Sequence, residues 1–260
     1  MIQNEVAVIT GGTSGIGAAY TRYFASMGYD LIVTGHPGDK EFPHLKEIEE
    51  KYNVKVDLIL ADFAIKENIT RVEETIREKN VCVLINSAGF GLGRPFWEDD
   101  VQTLENMVAV HIIAPVRFIY AVLPQMISRK KGTIISLSSL SSFIPIPLDS
   151  MYSATKIFHN SFLQSLHISF RNQGIKVQVL CPGLVKTNFH KNAGTDPSLL
   201  QKKQILPWMN PERVVEISIR NLGRKNKVIV IPGLRNKMIK LLYTMIPKPL
   251  YYRLAVKYLV

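Results

Sequence analysis

The sequence predicts an α/β fold, a doubly wound parallel seven-stranded sheet with helices on both faces and a C-terminal helical extension. Three observations lead there. Short apolar runs alternate with longer segments of helical period, the order of successive βαβ units. The runs are nearly continuous in Val, Ile and Leu, as parallel strands covered on both faces require. A glycine-rich turn stands between the first run and the first helical segment. The runs occupy residues 6–9, 31–33, 56–60, 81–85, 133–137, 177–180 and 228–231. No Gly/Ser linker, repeat or low-complexity stretch divides them, so residues 1–233 read as one domain and 234–260 as a basic amphipathic extension of it. Residues 186–211, rich in Asn, Gly, Pro and Lys, are long for a plain connection and are expected to form a binding lid.

Composition narrows the class. With 260 residues, 47% hydrophobic and 20% charged, the chain is far from the apolar-poor signature of disorder. Cys82 and Cys181 lie in or next to apolar runs and form no disulfide framework, which favours a reducing compartment. An apolar strand begins almost at once after Met1, so a secretory leader is not expected, and no uncharged apolar run of about 18 residues suggests a membrane span. The expected location is cytoplasmic or peripheral to a membrane.

The turn after the first run reads Thr10-Gly11-Gly12-Thr13-Ser14-Gly15-Ile16-Gly17. Its glycines let the backbone turn tightly and approach a pyrophosphate, and the following helix N-terminus offers free N–H groups and a positive dipole end. The spacing Gly-x-x-x-Gly-x-Gly differs from the commoner Gly-x-Gly-x-x-Gly.

At this spacing the chain resembles the short-chain dehydrogenase/reductase family, a single-domain branch of the Rossmann fold, from Val6 to about Val230. The resemblance implies a nicotinamide cofactor held by Gly11, Thr13, Ser14, Gly15, Ile16 and Gly17. Asp62, followed by Phe63, matches the acid that contacts adenine. Asn86-Ser87-Ala88-Gly89 is similar to the family's Asn-Asn-Ala-Gly, with Ser87 in place of the second Asn. Pro182-Gly183-Leu184-Val185-Lys186-Thr187 resembles the segment that holds the nicotinamide carboxamide, which implicates Pro182, Gly183, Val185 and Thr187. The family also implies a homodimer or homotetramer.

Chemistry is expected at Tyr152 and Lys156. If Tyr152 opens a helix, Lys156 lies one turn on along the same face. A phenol near pKa ~10 is a poor base at neutral pH, and a close cation stabilises its phenolate. Tyr152 is therefore the expected general acid/base for carbonyl and alcohol chemistry. Ser139, thirteen positions earlier, is expected to donate to the same oxygen, and the resemblance gives Lys156 the ribose hydroxyls of the cofactor.

His111 stands where the family usually has an asparagine that holds a relay water. Either the imidazole serves that relay, changing charge near neutral pH, or it is a buried, hydrogen-bonded histidine with no part in turnover. At the end of the second run, Thr34-Gly35-His36-Pro37 lacks the acid that NAD-preferring relatives place near Gly35. His36 occupies the place of an Arg in NADP-preferring relatives, with Lys40 close by. NADP(H) is favoured and NAD(H) stays open.

The net charge of +11 is concentrated at one end. From Ile217 onward there is no Asp or Glu, while ten Lys and Arg residues from Arg220 to Lys257 carry ten of the eleven net charges. Lys237, Lys240 and Thr244 share one helical face, and Met238, Leu241, Leu242 and Met245 another. The pattern suits an interfacial helix pair, a cover over the substrate cleft or a subunit contact. No nucleic-acid module accompanies the charge, so nucleic acid is not an expected partner. The expected substrate is a small apolar carbonyl or alcohol compound, suggested by Phe189, Leu199, Leu200, Ile205 and Trp208 of the lid with Phe90, Phe96, Phe143 and Ile144. The rival functions are a catalytically silent NADP(H)-binding sensor and a peripheral membrane scaffold. Metal ligands are not indicated.

Overall fold

The computed structural model describes residues 5–39, 42–170, 172–189, 208–222, 224 and 227–259. Seven parallel strands form one sheet. They are β1 (Val6–Thr10), β2 (Asp30–Gly35), β3 (Val56–Leu60), β4 (Val81–Asn86), β5 (Gly132–Leu137), β6 (Ile175–Leu180) and β7 (Ile229–Val230). Their order across the sheet is β3-β2-β1-β4-β5-β6-β7. The chain winds outward from β1 in both directions, so the connections after β1 and β4 leave on opposite faces. The crevice this opens at the carboxyl ends of the central strands is the ligand position of doubly wound sheets.

Helices cover both faces. On one lie α1 (Gly15–Ser26), α2 (Pro43–Tyr52) and α7 (Pro211–Leu222); Tyr20, Phe24, Leu45, Ile48 and Val214 bury there against Ile9, Leu31 and Val83. On the other lie α3 (Lys66–Arg77), α4 (Val101–Val108), α5 (Ala114–Ser128) and α6 (Ser150–Phe170), with Ile69, Val72, Phe118, Val122 and Leu163 against Val8, Leu84 and Ile134. Each such side chain contributes about 1.5–3 kcal/mol on burial. The extension follows as α8 (Leu234–Met245) and α9 (Lys248–Leu259).

Four details refine the sequence reading. β3 is an edge strand, so Leu58 and Leu60 stay well exposed where a doubly covered strand was expected. β7 shortens to a two-residue pairing with β6. α4 and α5 join through a π-helical turn, Ala109–Ile113, into one helix, Val101–Ser128, long and apolar enough to cross a membrane by length and composition. Half of its most apolar window is buried in the domain, and Arg117 within it pairs with Glu73 of α3 at 2.5 Å, the contacts of a core helix. Finally, α8 turns its apolar stripe outward: Asn236 is fully buried while Met238, Leu241, Leu242 and Met245 are each more than half exposed. Of the lid, residues 190–207, including Leu199, Leu200 and Ile205, lie outside the described residues, as does Lys40.

Candidate active site

The glycine turn leaves the carboxyl end of β1 under tight steric control. Gly11 (φ +61°) and Gly15 (φ +53°) occupy the left-handed region that disfavours a Cβ. A Cβ on Gly11 would stand 2.9 Å from Ala88 Cα, and one on Gly17 would stand 2.0 Å from the Gly11 carbonyl oxygen. Thr10 ties the neighbouring loop in place: its Oγ1 accepts from the Ser87 and Ala88 N–H groups at 3.0 and 3.1 Å. Ser14 is the N-cap of α1 and its side chain makes no cap bond. The first N–H groups of the helix therefore face an open groove lined by Thr13, Ser14, Gly15, Arg22, Lys186 and Thr187. A positive helix end, exposed donors and the Lys186 ammonium suit a pyrophosphate, while Arg22 is paired with Glu212 at 2.5 Å.

A dinucleotide fits the remaining features. The Asn86 side chain is buried, donates to Ser136 Oγ at 3.2 Å and leaves Oδ1 without a partner among the described residues. Gly89 lies so close to His111 that a Cβ there would meet the ring at 2.8 Å. The segment from Pro182 to Thr187 is pinned on both sides: Leu140 N–H donates to Pro182 O at 2.8 Å, and Leu184 and Lys186 exchange backbone bonds with Met209. Val185 is buried, and the Thr187 methyl stands 3.0 Å from the Cβ position of Gly15, which brings the first and last motifs of the sequence together. Ile16 packs half-buried on the core beside them.

At the adenosine end the picture is mixed. Asp62 Oδ1 accepts from the Ala64 N–H at 2.9 Å, and His36 Nε2 stands 3.7 Å from Asp62 Oδ2. Phe63 turns its ring into the core against Phe118. His36 Nδ1 accepts from the Gly38 N–H at 3.0 Å, which leaves Nε2 as its outward nitrogen. A residue outside the sequence reading enters here. Asp39 Oδ2 accepts from both Thr13 Oγ1 and the His36 N–H, each at 3.3 Å. Family comparison looks for an acid next to Gly35; this one arrives four positions later through a turn, Asp39 N–H bonding His36 O. The loop after β2 therefore does carry a carboxylate. Arg22 and Asn188 of the groove were also missed, because only folding brings them to the α1 terminus.

The residues expected to be catalytic come together as their spacing predicts, with one difference. Ser139 ends the β5 connection in extended backbone, and its Oγ accepts from the Ser141 N–H at 3.2 Å. Its side chain faces the Tyr152 phenol and favours the ionised form. Burial pushes the Tyr152 phenol above its usual range, and Ser139 opposes the rise. Lys156 is buried one turn on; its Nζ donates to Leu137 O at 3.2 Å and lies 5.3 Å from the Tyr152 ring centre. Burial lowers its ammonium to about 8. The difference is that Nζ donates to the Leu137 carbonyl rather than to the phenol oxygen.

His111 projects from the π-helical turn and is fully buried. Such single-turn insertions recur at functional sites. Nε2 accepts from the Phe90 N–H at 3.0 Å, and Nδ1 bonds Thr155 Oγ1 at 2.9 Å, which donates in turn to the Tyr152 carbonyl at 2.7 Å. This network assigns the proton to Nδ1. Both nitrogens are thus engaged within the chain. Burial, then Lys156, then His159 hold the imidazole well below its usual pKa, so it stays neutral. A row of rings runs from Phe90 through His111 and Tyr152 to Phe189, with centres 5.6–5.7 Å apart.

Residues 5–198 match the family model described as short chain dehydrogenase. A very-long-chain 3-oxoacyl-CoA reductase of Macaca fascicularis is 32% identical over 227 residues, covering 86% of this chain and 70% of that protein. A short-chain dehydrogenase from Sphingobium yanoikuyae in complex with NADPH superposes with a TM-score of 0.81 at 25% identity, over 94% of this chain and 96% of the other. The bulky-bulky ketone specific alcohol dehydrogenase of Comamonas testosteroni gives 0.76 at 26% identity over 94% and 95%. Together with the phosphate groove and the Ser139, Tyr152 and Lys156 cluster, these matches establish that the chain belongs to the short-chain dehydrogenase/reductase family and is an NAD(P)(H)-dependent oxidoreductase.

Proposed function

We propose that this protein reduces a carbonyl group on a bulky apolar substrate with NADPH, Tyr152 delivering the proton. The observation that carries the reading is the half-buried Tyr152 phenol, with Ser139 facing it and Lys156 Nζ 5.3 Å from its ring centre. NADPH, when bound, supplies the hydride to the carbonyl carbon. Ser139 orients the carbonyl oxygen by hydrogen bonding, and Tyr152 O–H protonates that oxygen as charge develops on it. Lys156 keeps most of its charge at neutral pH, holds the ribose hydroxyls and stabilises the phenolate left behind. Solvent then restores the proton. His111 acts through position, fixing the Phe90 loop and, through Thr155, the first turn of α6.

Apolar specificity is supported by Phe189 against Tyr152 and by Phe90, Phe143 and Ile144 packed at the core's edge. The 3-oxoacyl-CoA reductase relative adds fatty 3-ketoacyl thioesters to the ketones worth testing. NADP(H) is favoured by His36 and by the NADPH-bound neighbour, with the Asp39 carboxylate opposing it. Buried free thiols at Cys82 and Cys181 suit a reducing, cytoplasmic setting. The test compares NADPH and NADH oxidation by wild type and Tyr152→Phe across apolar ketones and 3-ketoacyl thioesters. Turnover lost in the variant with NADPH binding retained is the expected result; tight NADPH binding without turnover by the wild type would replace the reductase with a sensor.

A further inference from the structure

Helix α8 is attached by the side that sequence amphipathicity would leave outside. Asn236 is fully buried, donates to Pro232 O at 2.7 Å and lies against the Cβ position of Gly183. Ile239 packs on the core, Lys240 Nζ sits 5.2 Å over the Phe143 ring, and Tyr243 meets Tyr251 of α9 edge-on at 4.8 Å. With that side fixed, Leu234, Met238, Leu241 and Met245, spaced i, i+4, i+7 and i+11, form one outward stripe, each more than half exposed. On α9, Ala255 is buried and Tyr251 Oη donates to Pro145 O at 2.5 Å, which leaves Leu250, Tyr252 and Val256 exposed.

Cations frame this apolar surface. Arg235 and Lys237 flank the α8 stripe and Arg253 lies among the exposed residues of α9; none pairs with a carboxylate among the described residues. Lys227 is lowered by burial and by the neighbouring charges of Lys237 and Arg224, so three cations crowd one corner. No acid occurs between Ile217 and the C-terminus to neutralise them. A second copy docking face to face would bring the same cations together. A bilayer of anionic lipid offers acyl chains to the stripe and phosphates to its rim.

We propose that the outer face of α8 and α9 docks on an anionic lipid surface. Since both helices rest on Phe143 and Pro145, just after Ser139, docking sets the edge of the active site beside the bilayer, where apolar substrates dissolve. That last consequence rests on the apolar-substrate reading; the docking does not.

The experiment sediments the full chain with vesicles of mixed phosphatidylglycerol and phosphatidylcholine, and with phosphatidylcholine alone, using NADPH binding to confirm folding of each variant. Wild type should partition at least about tenfold more strongly onto the anionic vesicles and dissociate in about 0.5 M salt. Leu241→Glu with Met245→Glu, and separately Arg235→Glu with Lys237→Glu, should each lower partition about tenfold or more. Equal partition of the folded variants and wild type would overturn the proposal. So would failure of wild type to bind anionic vesicles, or sedimentation velocity showing a wild-type oligomer that the Leu241→Glu, Met245→Glu variant dissolves without any lipid binding.

Discussion

Helices α6 and α8 depart from ordinary amphipathic packing in opposite senses. α6 buries Ser153, Thr155, Lys156, His159 and Asn160 while leaving Ile157 and Ile168 at least half exposed. α8 exposes Leu234, Met238, Leu241 and Met245 while burying Asn236. A polar group in the interior costs free energy unless it is bonded, so a row of them marks a place where chemistry has overruled packing. An exposed apolar stripe marks a place where something else is meant to pack. The two cation sets follow the same division. Lys156 is buried and donates to the Leu137 carbonyl, whereas Arg235 and Lys237 are exposed and pair with no carboxylate among the described residues.

The comparison breaks most easily at Tyr152. Tyr152→Phe should lower kcat by roughly 10²–10⁴-fold in NADPH-dependent ketone reduction while leaving the thermal midpoint nearly unchanged. A variant that keeps wild-type kcat would remove α6 from the chemistry. The lysines sharpen the contrast. Lys156→Met should abolish turnover yet stabilise the free protein at pH 7 by up to about 3 kcal/mol, because the burial that lowers this ammonium from 10.5 to about 8 weighs against folding. Its folded pKa is depressed, so that cost is present below pH 8 and fades as pH rises towards 10.5. Lys237→Met should stay within about 0.5 kcal/mol of wild type. Denaturant unfolding of both variants reads the difference, and equal effects would erase it.

Acid should act on the α6 side and not on α8 or α9, which carry no histidine or carboxylate. His159 is lowered by burial, with Lys156 adding, from 6.5 to about 3. A depressed folded value means the unfolded chain takes up the proton first, so stability is complete above pH 6.5 and falls as the pH drops towards 3. At pH 5 the loss is about 2 kcal/mol. Thermal unfolding across this range should be flatter in His159→Gln; parallel curves would show that the imidazole does not carry the effect. The smallest change belongs to the cofactor loop. Asp39→Asn removes the carboxylate that Thr13 and the His36 N–H share, and should raise the NADPH over NADH preference in kcat/KM by several-fold. An unchanged ratio would leave Asp39 a turn-former only.

Local order carried the sequence reading a long way. Strand runs, the glycine turn and the Tyr152 to Lys156 spacing are near-neighbour patterns, and near neighbours in sequence fix backbone geometry directly. The same logic explains the misses. Leu58 and Leu60 look like buried strand residues, and only the strand order makes β3 an edge. Asp39 lacks the expected adjacency to Gly35, and a turn supplies it. His111 is legible as a departure from the family pattern, but its two partners lie 21 and 44 residues away.

The sequence by itself determined the α/β class, the order of strands and helices, the glycine turn after β1 and the placing of Tyr152 and Lys156 one turn apart, because each is written in spacing over a few residues. Tertiary structure alone decided which way Lys156 Nζ turns, why His111 stays neutral and which side of α8 meets the protein. Those outcomes depend on burial and on partners distant in the chain. The free energy of a charged or apolar group is set by what surrounds it in space, and that surrounding exists only once the chain has folded.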